Sequence, residues 1–198
     1  MTEPTFVVII DYQGKCDVTQ DIFRYVSLWS TPSTWGGQYA PVDYESVVVP
    51  PCLTLLVDID ATPKLNMVLV EGGTIIIPSN IDSDHERTFD ANLIFVNSGG
   101  LFEAGTETEP YTSKLTITLT GEKYDPNVPI FGNKVLGVYN STLDLHGSPR
   151  DSWTSLEKTA DAGDFVIFVQ GEVDWKIGET IMITSTGFDR YEAEEHII

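Results

Sequence analysis

The fold is decided by residues 66–75, NMVLVEGGTI, where an apolar run, a tight polar turn and a second apolar run follow one another. The same pattern returns 26 residues later at residues 92–101, NLIFVNSGGL. A third copy at residues 138–147, VYNSTLDLHG, aligns with residues 96–105 at an offset of 42. Alternating and β-branched residues of this kind predict strands, and the glycines predict turns, so each copy predicts a strand-turn-strand unit.

A repeat of this length predicts layers that stack, because one unit cannot bury its apolar face alone. The longer second interval contains a threonine-rich strand at residues 115–120 and a loop at residues 121–133. A sandwich of antiparallel strands would also show alternation and frequent turns. The repeated unit favours an all-β fold, a right-handed parallel β-helix (β-solenoid) with short flanking strands and a core over residues 47–184. The side chains expected inside it are Leu69, Ile75, Phe95, Leu101, Leu136, Leu143 and Leu145.

Four glycines at the turns of these units carry a conformational prediction. Because only glycine adopts positive φ without steric cost, at least two of them are expected to have positive φ. They are Gly73, Gly99, Gly100 and Gly105.

The composition is that of a globular, strongly acidic protein. Hydrophobic residues make up 41% of the 198 residues, and the formal net charge is -19. Such a charge repels nucleic acid and anionic lipid, which excludes nucleic acid as a partner. It attracts Ca²⁺ and basic proteins, or it serves only solubility. No stretch approaches the roughly 18 apolar residues of a membrane span, so no direct membrane insertion is expected.

Features of the termini, the cysteines and one sequon bear on the cellular compartment. The N-terminus lacks a cationic segment, and the C-terminal EEHII resembles the middle of a strand, which favours a fragment of a longer chain. Cys16 and Cys52 are compatible with one disulfide or with two buried thiols. Asn140-Ser141-Thr142 is an N-glycosylation sequon.

The sequence contains no nucleophile elbow, phosphate-binding loop, dinucleotide fingerprint or zinc-ligand spacing. Asp58 and Asp60 are two residues apart on a predicted strand, so their side chains are expected to face the same way. Paired carboxylates could bind a ligand or Ca²⁺, or act as acid and base on a glycan. The simpler interpretation is a solvated outer face with aspartates that cap turns.

Arg150 with Asp144 and Asp151 forms the best candidate for glycan contact. The arginine would neutralise a sugar carboxylate and one aspartate would serve as general base. His146, on the outward track of its strand, is a candidate ligand contact or a solvated histidine. The four tryptophans could stack on sugar rings or fill joints between layers. They are Trp29, Trp35, Trp153 and Trp175.

An ordered series of motifs carries a family resemblance. The series contains WGG at residues 35–37, EGGT at 71–74, SGGL at 98–101, LDLHG at 143–147 and VDWKIG at 173–178. It resembles the eight-glycine domain of fibrocystins, fibrocystin-like proteins and the cell-migration-inducing type of extracellular hyaluronidase. One departure is the turn after the first strand, where the family usually carries a glycine and this chain has Pro51-Cys52.

The resemblance implies an organisation of the chain. Residues 1–28 would be the tail of a preceding module or an N-terminal strand, and residues 29–184 the eight-glycine β-solenoid domain. Residues 185–198 would lead into a following β-helix. It implies an oxidising compartment, in which a Cys16–Cys52 disulfide is favoured.

The resemblance also implies a function. We expect a non-catalytic structural or ligand-recognition module, glycosylated at Asn140, of a large protein at an extracellular or ciliary surface. Its partners would be a protein or glycan ligand and neighbouring modules. No cofactor is expected, with Ca²⁺ as the one candidate. The alternative is part of a hyaluronan-degrading enzyme, in which the domain supplies one wall of the glycan site.

Overall fold

The structure is a computed structural model that describes residues 7–9, 26–79, 86–125 and 131–198. Among these residues the regular structure is strand, apart from two short 3-10 helices, Pro32–Trp35 and Arg190–Glu192. The strands in chain order are β1 Val7–Ile9, β2 Val26–Leu28, β3 Ser46–Val49, β4 Thr54–Leu56, β5 Leu65–Glu71, β6 Thr74–Ile76, β7 Glu86–Asn97, β8 Leu101–Ala104, β9 Lys114–Leu119, β10 Leu136–Tyr139, β11 Thr142–Leu145, β12 Thr180–Ile183 and β13 Glu194–Ile197.

Two parallel sheets contain eleven of these strands. The first sheet has the order β1-β3-β5-β7-β10, with β9 also paired to β7, and the second has the order β2-β4-β6-β8-β11. Apart from β9 and β10, which both belong to the first sheet, successive strands alternate between the sheets, so β3–β4, β5–β6, β7–β8 and β10–β11 form four strand-turn-strand layers. The all-β class and the parallel strands are confirmed.

The chain divides into two compact units, Met1–Ser148 and Pro149–Ile198. The first unit contains both parallel sheets, and in it β1 and β2 of the predicted N-terminal tail pair with β3 and β4. The second unit contains the antiparallel pair β12–β13 and an isolated antiparallel bridge between Leu156 and Val169. The predicted boundaries at residues 28 and 184 stay predictions.

Columns of apolar side chains fill the space between the two parallel sheets. In the first sheet Val68 is in register with Val47 on one side and Ile94 on the other, and all three are fully buried. In the second sheet Leu55, Ile75 and Phe102 form a matching buried column. Because each strand turns alternate side chains inward, β-branched residues at every second position give this core.

The predicted register is right in the first sheet and shifted by one residue in the second. Met67 pairs with Leu93 and Val96 with Val138, at the predicted offsets of 26 and 42. Leu101, however, pairs with Thr74 and Thr142, at offsets of 27 and 41. The cause is the turn of the β7–β8 layer, which has three residues where its neighbours have two.

A shift of one residue exchanges the inner and outer faces of a strand. Phe102 and Ala104 are therefore buried in β8, and the prediction that Leu101 lies inside is wrong. Leu69 and Phe95 were also predicted inside, but they are half-buried on the face opposite the buried residues beside them. The prediction for Ile75 is confirmed.

Three predicted core leucines lie in the last layer, β10–β11. Leu136, Leu143 and Leu145 are in register with the buried Ile94, Phe102 and Ala104. Leu143 and Leu145 are nevertheless 38% and 45% exposed, because β11 is the last strand of its sheet. The core columns thus continue into the last layer, where their side chains are only partly buried.

A ladder of polar side chains crosses the first sheet beside the apolar columns. Asn66 Nδ2 donates to Ser46 Oγ at 3.3 Å, and Asn92 Nδ2 donates to Asn66 Oδ1 at 3.4 Å. Thr120 Oγ1 in turn donates to Asn92 Oδ1 at 2.7 Å. Ser46 is buried, so this ladder supplies the partners that buried polar groups require.

Glycines occupy the turns for two different physical reasons. Gly99 and Gly105 have φ of 82° and 75°, which confirms the prediction of at least two positive values. Gly100 has an ordinary φ but lies against the neighbouring layer, where a Cβ would stand 2.8 Å from Val70 O and 3.0 Å from Asn97 O. Gly100 therefore sets how closely the β5–β6 and β7–β8 layers approach.

We predict that Gly100→Val lowers the free energy of unfolding by about 1 to 3 kcal/mol, because the added Cβ forces these two layers apart. Gly147→Val is the matched control, since no atom lies within 4 Å of a Cβ built there. Urea unfolding followed by circular dichroism measures both. Equal midpoints for the two variants would contradict the close-packing role of Gly100.

Candidate functional site

The second unit contains an open cavity of about 1140 Å³. Its apolar lining includes Leu156, Val169, Ile181 and Ile183, and its polar edge includes Arg150 and Glu179. Among the described residues 149–198 no hydrophobic side chain is fully buried. The second unit is therefore a concave, half-exposed apolar surface rather than a closed core.

Two tryptophans line this cavity in different environments. Trp153 is 79% exposed. Trp175 is half-buried, and its Nε1 donates to Asp151 O at 2.5 Å. Trp29 and Trp35, in contrast, pack edge to face at 5.1 Å in the core of the first unit. Trp29 and Trp35 therefore fill the core of the first unit, whereas Trp153 is exposed at the cavity.

Arg150 is the centre of an ion-pair network at the edge of the cavity. Its Nε donates to Asp174 Oδ2 at 2.9 Å, and two further N–H groups donate to the two carboxylate oxygens of Glu179 at 2.7 and 2.9 Å. Another donates to Asp174 O at 3.0 Å. Four of the five guanidinium N–H groups are thereby used within the unit.

The same two acids also hold backbone groups, which ties two loops together. Asp174 Oδ1 accepts from Asp151 N at 3.1 Å, and Glu179 Oε2 accepts from Lys176 N at 2.8 Å. The hydrogen bonds from Arg150 lower the pKa of Glu179 to about 2, with the Lys176 N–H adding to the effect. The pKa of Arg150 is raised, first by Glu179 and then by Asp174.

Asp174 and Glu179 were missed at the sequence level, although VDWKIG at residues 173–178 was already recognised as a motif. Sequence spacing gave no reason to join that motif to Arg150, which lies 24 and 29 residues away. The signal that could have found them is the pair of acids on either side of the WKIG segment at residues 175–178. The second unit has only four Lys and Arg residues with which these acids could pair.

We predict that this network loses its stabilising effect in acid. Because the pKa of Glu179 is lower in the folded chain than its usual 4.5, the stabilisation is present above about pH 4.5 and is lost as the pH falls toward about 2. The indole N–H signal of Trp175 in a ¹⁵N–¹H spectrum reports on this loop. Its chemical shift should change across that window in the native chain.

Glu179→Gln should remove this pH dependence, because glutamine does not titrate. Glu172→Gln, an exposed acid in the same unit, is the control and should leave the profile unchanged. A Trp175 signal with the same acid profile in all three proteins would show that Glu179 does not govern the loop.

Asp144, one of the two predicted partners of Arg150, belongs to the first unit and pairs there with His146. His146 Nε2 lies 2.6 Å from Asp144 Oδ1, and both side chains are partly exposed. Asp144 is also in register with Glu103 on the neighbouring strand. Burial raises the pKa of Glu103, and the charge of Asp144 raises it further. Asp144 and Arg150 thus each have their own partners.

Asp58 and Asp60 do not lie on a strand as predicted, because β4 ends at Leu56 and both residues fall in the irregular segment that follows. Asp58 caps the turn after β2 by accepting from Ser30 N at 2.9 Å and Ser30 Oγ at 2.5 Å. Burial acts to raise the pKa of Asp58, but the Ser30 hydrogen bonds outweigh it and lower the pKa. The turn-capping interpretation therefore describes Asp58.

Among the described residues no cluster of three or more His, Cys, Asp or Glu side chains is suited to hold a metal ion. A Ca²⁺ site at Asp58 and Asp60 stays a prediction. In the same part of the chain no helix is long and apolar enough to cross a membrane.

Cys52 adopts a φ of 72°, a conformation that glycine reaches without steric cost. It lies in the turn after β3, where the sequence departs from the family pattern described above. Cys52 is not a free thiol. Cys16 lies outside the described residues, so the pairing of these two cysteines stays a prediction.

Comparison with known proteins identifies the family to which this chain belongs. The sequence profile of the G8 domain matches residues 34–157, and the chain belongs to the G8 domain family. The chain is 40% identical to fibrocystin-L of Homo sapiens over 182 residues, which is 91% of this chain. It is 36% identical to fibrocystin of Mus musculus over 82% of its length.

The match extends beyond animals. A G8 domain-containing protein of Dictyostelium discoideum is 27% identical over 94% of the chain. The chain spans about 4% of the two fibrocystin relatives and 13% of the Dictyostelium relative. No solved structure matches the chain with statistical significance.

Proposed function

We propose that this chain is a non-catalytic structural and recognition module of a large fibrocystin-like protein at an extracellular or ciliary surface. The main support for this proposal is that four layers share continuous side-chain columns, while the core leucines of the last layer are half exposed. A segment of a longer stack is built in this way. The small share of the relatives that the chain covers supports the same interpretation.

We propose further that the two parallel sheets belong to a right-handed β-solenoid. Each pair of neighbouring strands in one sheet is connected through a strand of the other sheet, as β3 is connected to β5 through β4. Crossovers between parallel strands of one sheet are right-handed in about 98% of cases. An experimental structure with left-handed crossovers, or with residues 47–119 in antiparallel sheets, would reject this proposal.

In this proposal, recognition occurs at the cavity of the second unit. The cavity combines an apolar wall with a highly exposed tryptophan, the arrangement that holds a sugar ring or an apolar side chain of a partner protein. The net charge of -19 disfavours a polyanion and favours a neutral glycan or a basic protein surface.

The alternative, a wall of a hyaluronan-degrading site, requires the Arg150 guanidinium to face a sugar carboxylate. Asp174 and Glu179 already neutralise it and occupy four of its N–H groups. A substrate carboxylate would have to displace two resident carboxylates, at a loss of the hydrogen bonds that they make. This arrangement supports a structural role for Arg150.

We predict that the purified chain leaves hyaluronan intact. Hyaluronan should keep its chain length, measured by size-exclusion chromatography with light scattering, with or without Ca²⁺. Depolymerisation that is absent in the Arg150→Ala variant would overturn the non-catalytic proposal and support the enzyme.

Recognition is tested by binding the chain to an array of neutral oligosaccharides and to immobilised basic peptides. The proposal expects Trp153→Ala to lose at least tenfold in affinity, because Trp153 lines the cavity. Phe165→Ala is the matched control, since Phe165 is fully exposed outside the cavity lining. Equal binding by both variants would count against recognition at this cavity. So would the absence of binding by the native chain.

A further inference from the structure

The turn between β10 and β11 joins the last strands of both parallel sheets and contains the sequon. Asn140 is exposed, and Tyr139 immediately before it is 67% exposed. Among the described residues the Asn140 side-chain amide makes no hydrogen bond, whereas its backbone oxygen accepts from Gly99 N at 2.8 Å. The backbone of the turn is therefore fixed, while the side-chain amide has no partner in the part of the chain that the structure describes.

The two strands that meet at this turn, β10 and β11, each end the path of a sheet. Leu143 and Leu145 are half exposed. An exposed strand edge with apolar side chains pairs readily with another chain, so natural proteins cover such edges. At this turn the sequon offers a site for the covalent attachment of a glycan, which could cover these strands.

We propose that Asn140 carries an N-linked glycan whose first sugar packs on the Tyr139 ring and whose branches shield the β10–β11 edge from other chains. The inference rests on the proposed function, because the donor sugar is available only to chains that enter the secretory pathway.

The attachment balances as an ordinary group transfer. The Asn140 amide nitrogen bonds to C1 of the first N-acetylglucosamine of a lipid diphosphate-linked oligosaccharide, and the bond from C1 to the diphosphate oxygen breaks. The lipid diphosphate leaves with the electron pair, and the amide gives up one proton to a base of the transferase. Thr142 supplies the hydroxyl that the transferase requires two residues after the asparagine.

The experiment expresses the whole 198-residue chain behind an added secretory leader in a eukaryotic host and measures the intact mass of the secreted protein before and after treatment with peptide N-glycosidase F. The native chain and Thr142→Ser should carry one N-glycan, and Thr142→Ala and Asn140→Gly none. Asn140→Gly keeps the turn, because glycine suits the φ of 48° at this position. Tyr139→Ala should lower the glycosylated fraction.

A secreted native chain with no mass change on glycosidase treatment would overturn the modification. Because the leader forces export wherever the natural protein resides, that result would leave the proposed function standing. The shielding role has its own readout in light scattering. At equal concentration the glycosylated native chain should be a monomer and the unglycosylated Asn140→Gly chain a dimer or larger. A monomeric Asn140→Gly chain would overturn the shielding role.

Discussion

The parallel register of the strands is the constraint on which the first unit depends. A residue such as Val68 is buried only because Val47 lies on one side of it and Ile94 on the other, in the same column and facing the same way. Burial of a Val, Leu or Ile side chain contributes about 1.5 to 3 kcal/mol, and no single layer can bury its own inward residues. The stability of the unit therefore belongs to the stack, and each turn must deliver its strand to the correct position.

This dependence explains what the sequence could and could not predict. The first-sheet register followed directly from the repeat, since Met67 and Leu93 lie at matching places in two similar segments. The second-sheet register did not, because the extra residue in the turn at Ser98, Gly99 and Gly100 changes no composition and leaves the alignment of apolar residues plausible at either offset. The pairing of Leu101 with Thr74 and the close approach of Gly100 to Val70 O are properties of the folded layers.

The candidate site was predictable to a similar degree. Arg150 was singled out because an arginine beside carboxylates could bind an acidic sugar, but its partners were taken from its neighbours in sequence. Asp174 and Glu179 reach it instead from a loop more than twenty residues away. Asp144, with His146 two residues along, found a local partner. In an acidic protein each cation is surrounded by candidate anions, so the pairing depends on the fold and not on proximity in sequence.

The connection between β9 and β10 has a consequence for how the domain tolerates changes of length. Leu119 pairs with Ala91 and Leu136 with Ile94, so the sixteen residues between them leave and rejoin β7 within three positions of each other. An insertion in this connection alters no register, whereas one residue added to a layer turn reverses the faces of a strand. Variation in length among related domains should therefore accumulate in this connection. It is also the place where a reporter sequence can be introduced without disturbing the stack.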